Sequence, residues 1–146
     1  MTIICVKDNI MAADSGIRAG YCVFPSAIPK IYRLVDGGLL GCAGNIHDSA
    51  RLRYWAGMKF SKASKPILED VQFLWLKPDG TLTEGDKNGP GALRLQPLAI
   101  GFPSEYAQGT LDAGASAEQA VLLTIQKTTA AWGEVQVETL ETAETL

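Results

Sequence analysis

The first fourteen residues constrain this chain most. Met1-Thr-Ile-Ile-Cys-Val-Lys7, Asp8-Asn9 and Ile10-Met-Ala-Ala-Asp14 read as an apolar strand over Thr2 to Lys7, a tight turn, and a strand of small residues over Ile10 to Asp14. A two-residue turn fixes the register, with Lys7 opposite Ile10 and Val6 opposite Met11. Carried on, that register sets Ile3 against Asp14 and Thr2 against Ser15, so Asp14 lies diagonally beside Thr2, about 7 Å away. Apolar residues fall on both faces, as in a strand pair buried on two sides. If Met1 is removed, Thr2 carries a β-hydroxyl and a free α-amine, a nucleophile and a base in one residue.

A second hairpin follows. Lys30-Ile-Tyr-Arg-Leu34 and Leu39-Leu-Gly-Cys-Ala43 flank an Asp36-Gly37 turn signal. With that pair as the turn, Lys30 lies near Ala43 and Tyr32 near Gly41, which brings Lys30 and the Gly41–Gly44 segment to the open end. Gly41 inside a strand marks a close backbone approach. Between the hairpins, Ser15 to Ala19 reads as a loop and Gly20 to Phe24 as a short strand. From Asn45 or Asp48 the period changes. Ile46, Leu52, Trp55 and Met58 share one helical face, and Ser61 to Pro66 closes the helix. Val71 to Leu76 and Thr81 to Glu84 are predicted strands around a Pro78-Asp-Gly80 turn. Asp86 to Pro90 reads as a loop and Pro97 to Gly101 as a strand. Ser104 is the expected N-cap of a helix ending at Gly114, and Ser116-Ala-Glu-Gln119 is a capping-box pattern opening Ala117 to about Lys127. Val135 to Leu140 is the last strand. This order predicts one layered domain of α and β elements over 1–140, with a loose acidic tail over 141–146.

Composition removes several functions. At 146 residues the chain fits one domain, and a net charge of −3 supplies no basic footprint for nucleic acid. Cys5, Cys22 and Cys42 lack zinc-type spacing, and reduced, buried thiols are expected. His47 is the only histidine, so a triad has no second imidazole to choose from and a His-rich metal site is ruled out. No export signal or membrane-length apolar run is apparent, so a soluble, cytoplasmic protein with no membrane partner is expected. No cofactor is called for.

Met1-Thr-Ile-Ile-Cys-Val6, Met11-Ala-Ala-Asp-Ser15, Pro29-Lys-Ile-Tyr-Arg-Leu34 and Leu40-Gly-Cys-Ala-Gly44 together resemble the proteasome β-subunit and HslV-type family of N-terminal-nucleophile hydrolases. Ala99-Ile-Gly101, Tyr106-Ala107 and Ala113 to Ala120 extend the resemblance over nearly the whole chain. It looks closest to short phage and prophage members, because only a turn fits between Lys65 and Val71 where a second helix usually lies. Phage origin would place it in the host cytoplasm. The resemblance implies a four-layer αββα sandwich of antiparallel sheets with a shortened first helical layer. It implies a threonine peptidase in a homo-oligomeric ring acting on peptides or unfolded proteins, with no unfoldase-docking motif visible.

By the same resemblance, Thr2 is the nucleophile, Asp14 and Lys30 its charged partners, and the Gly41 N–H the oxyanion donor. Ile28, Leu39 and Ala43 line the substrate pocket. The chemistry agrees. An α-amine titrates near 8, a nearby ammonium favours its unprotonated form, and one backbone donor to an oxyanion is worth roughly 3 kcal/mol. Three positions depart from the pattern. Phe102 stands where a serine is usual, with Ser104 two residues on, and Thr128 and Ala131 replace an aspartate and its hydroxyl partner. An alternative therefore stands beside the peptidase: a catalytically impaired subunit with a structural or binding role in an oligomer.

Overall fold

The computed structural model describes residues 1–141, so the expected tail lies, beyond Glu141, outside the described residues. The strands in chain order are β1 (Ile3–Lys7), β2 (Ile10–Ala13), β3 (Gly16–Ala19), β4 (Cys22–Pro25), β5 (Ile31–Arg33) and β6 (Leu39–Gly44). Then come β7 (Val71–Leu76), β8 (Leu82–Asp86), β9 (Gly89–Arg94), β10 (Leu98–Gly101) and β11 (Gln136–Thr139). Three helices, α1 (Ile46–Gly57), α2 (Ser104–Asp112) and α3 (Ala117–Lys127), complete the described elements.

The first hairpin forms in the expected register, with Lys7 opposite Ile10 and Ile4 opposite Ala13. Asp8 and Asn9 take positive φ, 54° and 60°. That is the turn whose twist matches the strands it joins, and short Asp and Asn side chains tolerate it.

The second hairpin is one residue out from expectation: Ile31 lies opposite Gly41 and Tyr32 opposite Leu40. Leu34 N–H reaches the Gly38 carbonyl at 2.8 Å, so the loop is Val35-Asp36-Gly37, three residues rather than two. Gly37 takes the left-handed conformation (φ 92°) that ends such loops. Because side chains alternate along a strand, the slip reassigns faces. Leu39 and Ala43 join the core between the sheets, and Leu40 and Cys42 face α1.

One sheet runs β10-β1-β2-β11 and the other β5-β6-β7-β8-β9. All their pairings are antiparallel. Ile4, Val6, Met11, Leu39, Leu74 and Leu76 fill the space between them. Burying each such side chain contributes roughly 1.5–3 kcal/mol. On the outer face of the first sheet, Ala107, Leu111, Ala120 and Val121 of α2 and α3 pack on Ile3, Cys5 and Ala12. Small residues on both sides let helix and sheet approach closely. On the outer face of the second, Leu52, Trp55 and Ala56 of α1 cover Leu40, Cys42 and Phe73. These are the four layers expected, with only a short turn at Lys62–Ser64 after α1 in place of a second helix.

The capping box at Ser116 forms: its Oγ accepts from Gln119 N–H at 3.1 Å, and Gln119 Oε1 accepts from Ser116 N–H at 3.0 Å. Several local expectations change. Ser104 is the first helical residue, and Pro103 before it gives no side-chain cap. Gly16–Ala19 is a strand, paired with β4 as a separate two-stranded ribbon. Asp86 to Pro90 is not a loop: Asp86 ends β8, Lys87-Asn88 makes a tight turn, and Gly89 and Pro90 open β9, a strand its glycines had masked. Cys22 is exposed, whereas Cys5 and Cys42 are buried. Ile46 and Met58 lie at the two ends of α1 and are 42% and 37% exposed, so neither anchors its buried face. No described helix is long and apolar enough to cross a membrane.

Candidate active site

Asp14 ends the first hairpin and is fully buried. Oδ1 accepts from Ile3 N–H and from Lys30 Nζ, each at 3.0 Å, and Oδ2 accepts from Trp132 N–H at 3.1 Å. Three donors converge on one carboxylate, and a charge-assisted network of this kind fixes geometry as well as charge. Lys30 lies just before β5 in the other sheet, its side chain only 11% exposed. Burial pushes its ammonium pKa below the ordinary lysine value, and Asp14 works against that drop. The same Nζ donates to the Met1 carbonyl at 3.4 Å. The ion pair therefore joins the two sheets directly behind the peptide that links Met1 to Thr2.

Thr2 precedes β1 and is buried to 8% exposure. Its carbonyl runs so close to Gly101 that a Cβ there would overlap it, and Gly101 takes φ 114°, a conformation side chains resist. Glycine at 101 is thus what allows Thr2 its place beside β10. The Met1 amine is held below its usual pKa, by partial burial first and by the Lys30 charge second.

Thr2 and Lys30 line a cavity of about 310 Å³. Ile17, Ile28, Tyr32, Cys42 and Ile46 give it apolar surface, and Arg18, Asn45, His47 and Ser49 make the rest of its wall polar. Burial pushes the Cys42 thiol up to about 12, so it stays a neutral packing group. Of the three pocket residues expected, Ile28 reaches the cavity, while Leu39 and Ala43 lie in the inter-sheet core because of the register slip.

Gly41 is also displaced from the cavity. A Cβ on it would meet Met11 Sδ at 2.8 Å and Ile4 Cγ2 at 2.9 Å, so it serves the close approach of the two sheets. Cys42 N–H donates to the Lys30 carbonyl at 3.0 Å. Strand alternation then turns the Gly41 N–H the other way, toward β7. The Gly44 N–H has the parity of Cys42 and lies beyond the start of β5, and Gly44 itself lines the cavity.

The departures are placed too. Phe102 is 76% exposed and Ala131 is fully buried. The Thr128 hydroxyl donates to the Thr124 carbonyl and accepts from Ala130 N–H, a local helix end. Ser104 sits in the first turn of α2.

The segment 132–136 is the part that sequence reasoning missed. Besides Trp132 on Asp14, Glu134 N–H donates to Ser15 Oγ at 2.8 Å, Ser15 N–H to the Trp132 carbonyl at 3.1 Å, and Lys30 N–H to Gln136 Oε1 at 2.8 Å. Trp132 and Glu134 act through backbone groups, which leave no mark on residue type, and Gln136 through its side-chain amide. The one visible signal was Gly133, whose position against Ser15 leaves no room for a Cβ.

No protein-family profile and no curated protein matches the chain by sequence. Solved structures do match it in fold. HslV from Trypanosoma brucei superposes with a TM-score of 0.70 at 20% identity, covering 97% of this chain and 99% of that one. The Thiobacillus denitrificans protein BPH, in complex with epoxomicin, gives 0.68 at 18% identity, covering 96% and 98%. BPH alone gives 0.64 at 15% identity. The αββα sandwich of antiparallel sheets is the HslV fold, spanned end to end.

Proposed function

We propose that this chain is an N-terminal threonine peptidase of the HslV and proteasome type, active once Met1 is removed. One observation carries the reading: a buried Asp14–Lys30 pair stands directly behind Thr2 at the wall of a cavity. Loss of Met1 frees the Thr2 amine, and the Lys30 ammonium nearby favours its unprotonated, proton-accepting form. The Thr2 hydroxyl gives its proton to that amine as its oxygen attacks a peptide carbonyl. The Gly44 N–H is the better placed donor to the resulting oxyanion, in the role first expected of Gly41. Collapse releases the amine product, and water then cleaves the Thr2 ester. Asp14 keeps Lys30 charged and in place throughout.

Peptides or unfolded chains are the substrates, their side chains meeting a cavity wall that mixes three isoleucines with Arg18, Asn45 and His47. Self-assembly into a ring, in the cytoplasm, belongs to the same reading and is supported by the likeness to HslV. Phe102, Thr128 and Ala131 favour the second reading, an impaired structural or binding subunit, since none of them turns a free hydroxyl or carboxylate toward Thr2.

Epoxomicin, bound in the Thiobacillus relative, is the probe. The protein is made in cells with normal methionine processing and its intact mass measured before and after exposure. The peptidase reading expects loss of Met1, one equivalent of label on Thr2, and none on Thr2→Ala. Retained Met1, or a free Thr2 that neither labels nor cleaves peptides, leaves the structural subunit as the answer.

A further inference from the structure

Asp14 and Lys30 come from different sheets, so their 3.0 Å separation depends on how those sheets are held at this end. β5 is an edge of one sheet and β11 an edge of the other, and the two edges face each other along a seam. Two ties cross it. At the far end, the exposed Arg33 guanidinium donates to Glu138 Oε2 and to the Thr139 carbonyl, both at 2.8 Å. At the cavity end, partly buried Gln136 accepts the Lys30 backbone N–H at 2.8 Å.

We infer that Gln136 is a positioning residue for Lys30, setting its backbone against Asp14 and so aiming the ammonium at Thr2. Gln136 lies opposite Ala13, next in sequence to Asp14, so one tie references Lys30 to the very strand that carries its counter-ion. The Lys30 carbonyl is taken by Cys42 N–H, which leaves its peptide held from both sides. The chemistry of the side chain fits the task. A neutral amide oxygen accepts the N–H without adding a charge, whereas a carboxylate here would compete with Asp14 for the ammonium. This role rests on the reading of Thr2 as nucleophile only for its effect on catalysis; the placement of Lys30 is testable without it.

The test uses the full chain with and without Met1. Lysine acetylation footprinting reads how exposed the Lys30 ammonium is, and Gln136→Ala is expected to raise its modification rate several-fold. Arg33→Ala, which loosens the same seam away from the cavity, is expected to leave Lys30 protected. On the processed protein, Gln136→Ala should lower kcat roughly tenfold to a hundredfold with KM little changed. Gln136→Glu keeps an acceptor for the N–H but draws the ammonium away from Asp14, so Lys30 should stay more reactive than in the wild type; wild-type protection in it overturns the case for a neutral amide. Unchanged Lys30 protection in Gln136→Ala, or equal deprotection in Arg33→Ala, overturns the inference. If wild-type protein is inert toward peptides, the catalytic reading fails and the footprint still decides the role of Gln136.

Discussion

Replacing Asp14 by Asn keeps the shape of the site and removes its charge. At 3.0 Å, and at an effective dielectric near 20, the attraction between Asp14 and Lys30 is roughly 5 kcal/mol. Desolvation of both ions offsets much of it. Deleting only the carboxylate leaves an ammonium that is 11% exposed and has no counter-ion. That loss costs about 3–5 kcal/mol in buried pairs generally. Lys30 has one escape, which is to lose its proton. Burial already holds its pKa below the usual value with Asp14 opposing, so without Asp14 the pKa falls further. When the folded pKa lies below the unfolded one, the unfolded chain binds more protons, and stability rises with pH up to the unfolded value near 10.4. The deficit of Asp14→Asn is therefore greatest at neutral pH and shrinks as pH approaches 10. Guanidinium denaturation at pH 7 should show a loss of about 3 kcal/mol, equivalent to a Tm drop of roughly 10 °C. At pH 10 less than half of it should remain. A deficit that is the same at both pH values refutes the picture of Lys30 as a buried cation kept charged by Asp14.

Gly101→Ala should cost about 2 kcal/mol or more, because a Cβ at φ 114° overlaps the Thr2 carbonyl. Thermal melting would show the loss, and the Thr2 labelling rate should fall with it as β1 is pushed from β10. Gly41→Ala forces a methyl against Met11 and Ile4 in the inter-sheet core, for an expected loss of about 1–3 kcal/mol. Thermal melting checks this, and a Gly41→Ala protein as stable as the wild type would refute the close approach of the two sheets at this residue.

The first hairpin was legible to the residue because Asp8-Asn9 can make only a short turn between two apolar strands. The second was not. Asp36-Gly37 serves equally as a two-residue turn or as the end of a three-residue loop, and the choice is made by Gly41 fitting against Ile4 and Met11, a contact between sheets. That single residue moved Leu39 and Ala43 into the core and separated Gly41 from the cavity. Thr2, Asp14, Lys30 and Ile28 could be proposed from sequence because their chemistry resides in side chains or in a position beside them. Trp132 and Glu134 could not, since any residue but proline offers the same N–H. Gln136 was hidden for a related reason, as its amide reads from sequence as one more polar residue on a strand.

The shell around Asp14 also sets an order in time. Asp14 and Trp132 are 118 residues apart, so the carboxylate emerges from the ribosome roughly ten seconds before its last donor at common synthesis rates. Gln136 follows, and β11 adds to β2 only then. Until that late strand docks, a growing chain carries Thr2 and Lys30 in a half-built arrangement with one sheet edge open. On the peptidase reading proposed above, Thr2 gains its full support only when β11 has docked, so activity in a growing chain would have to wait for that last described strand.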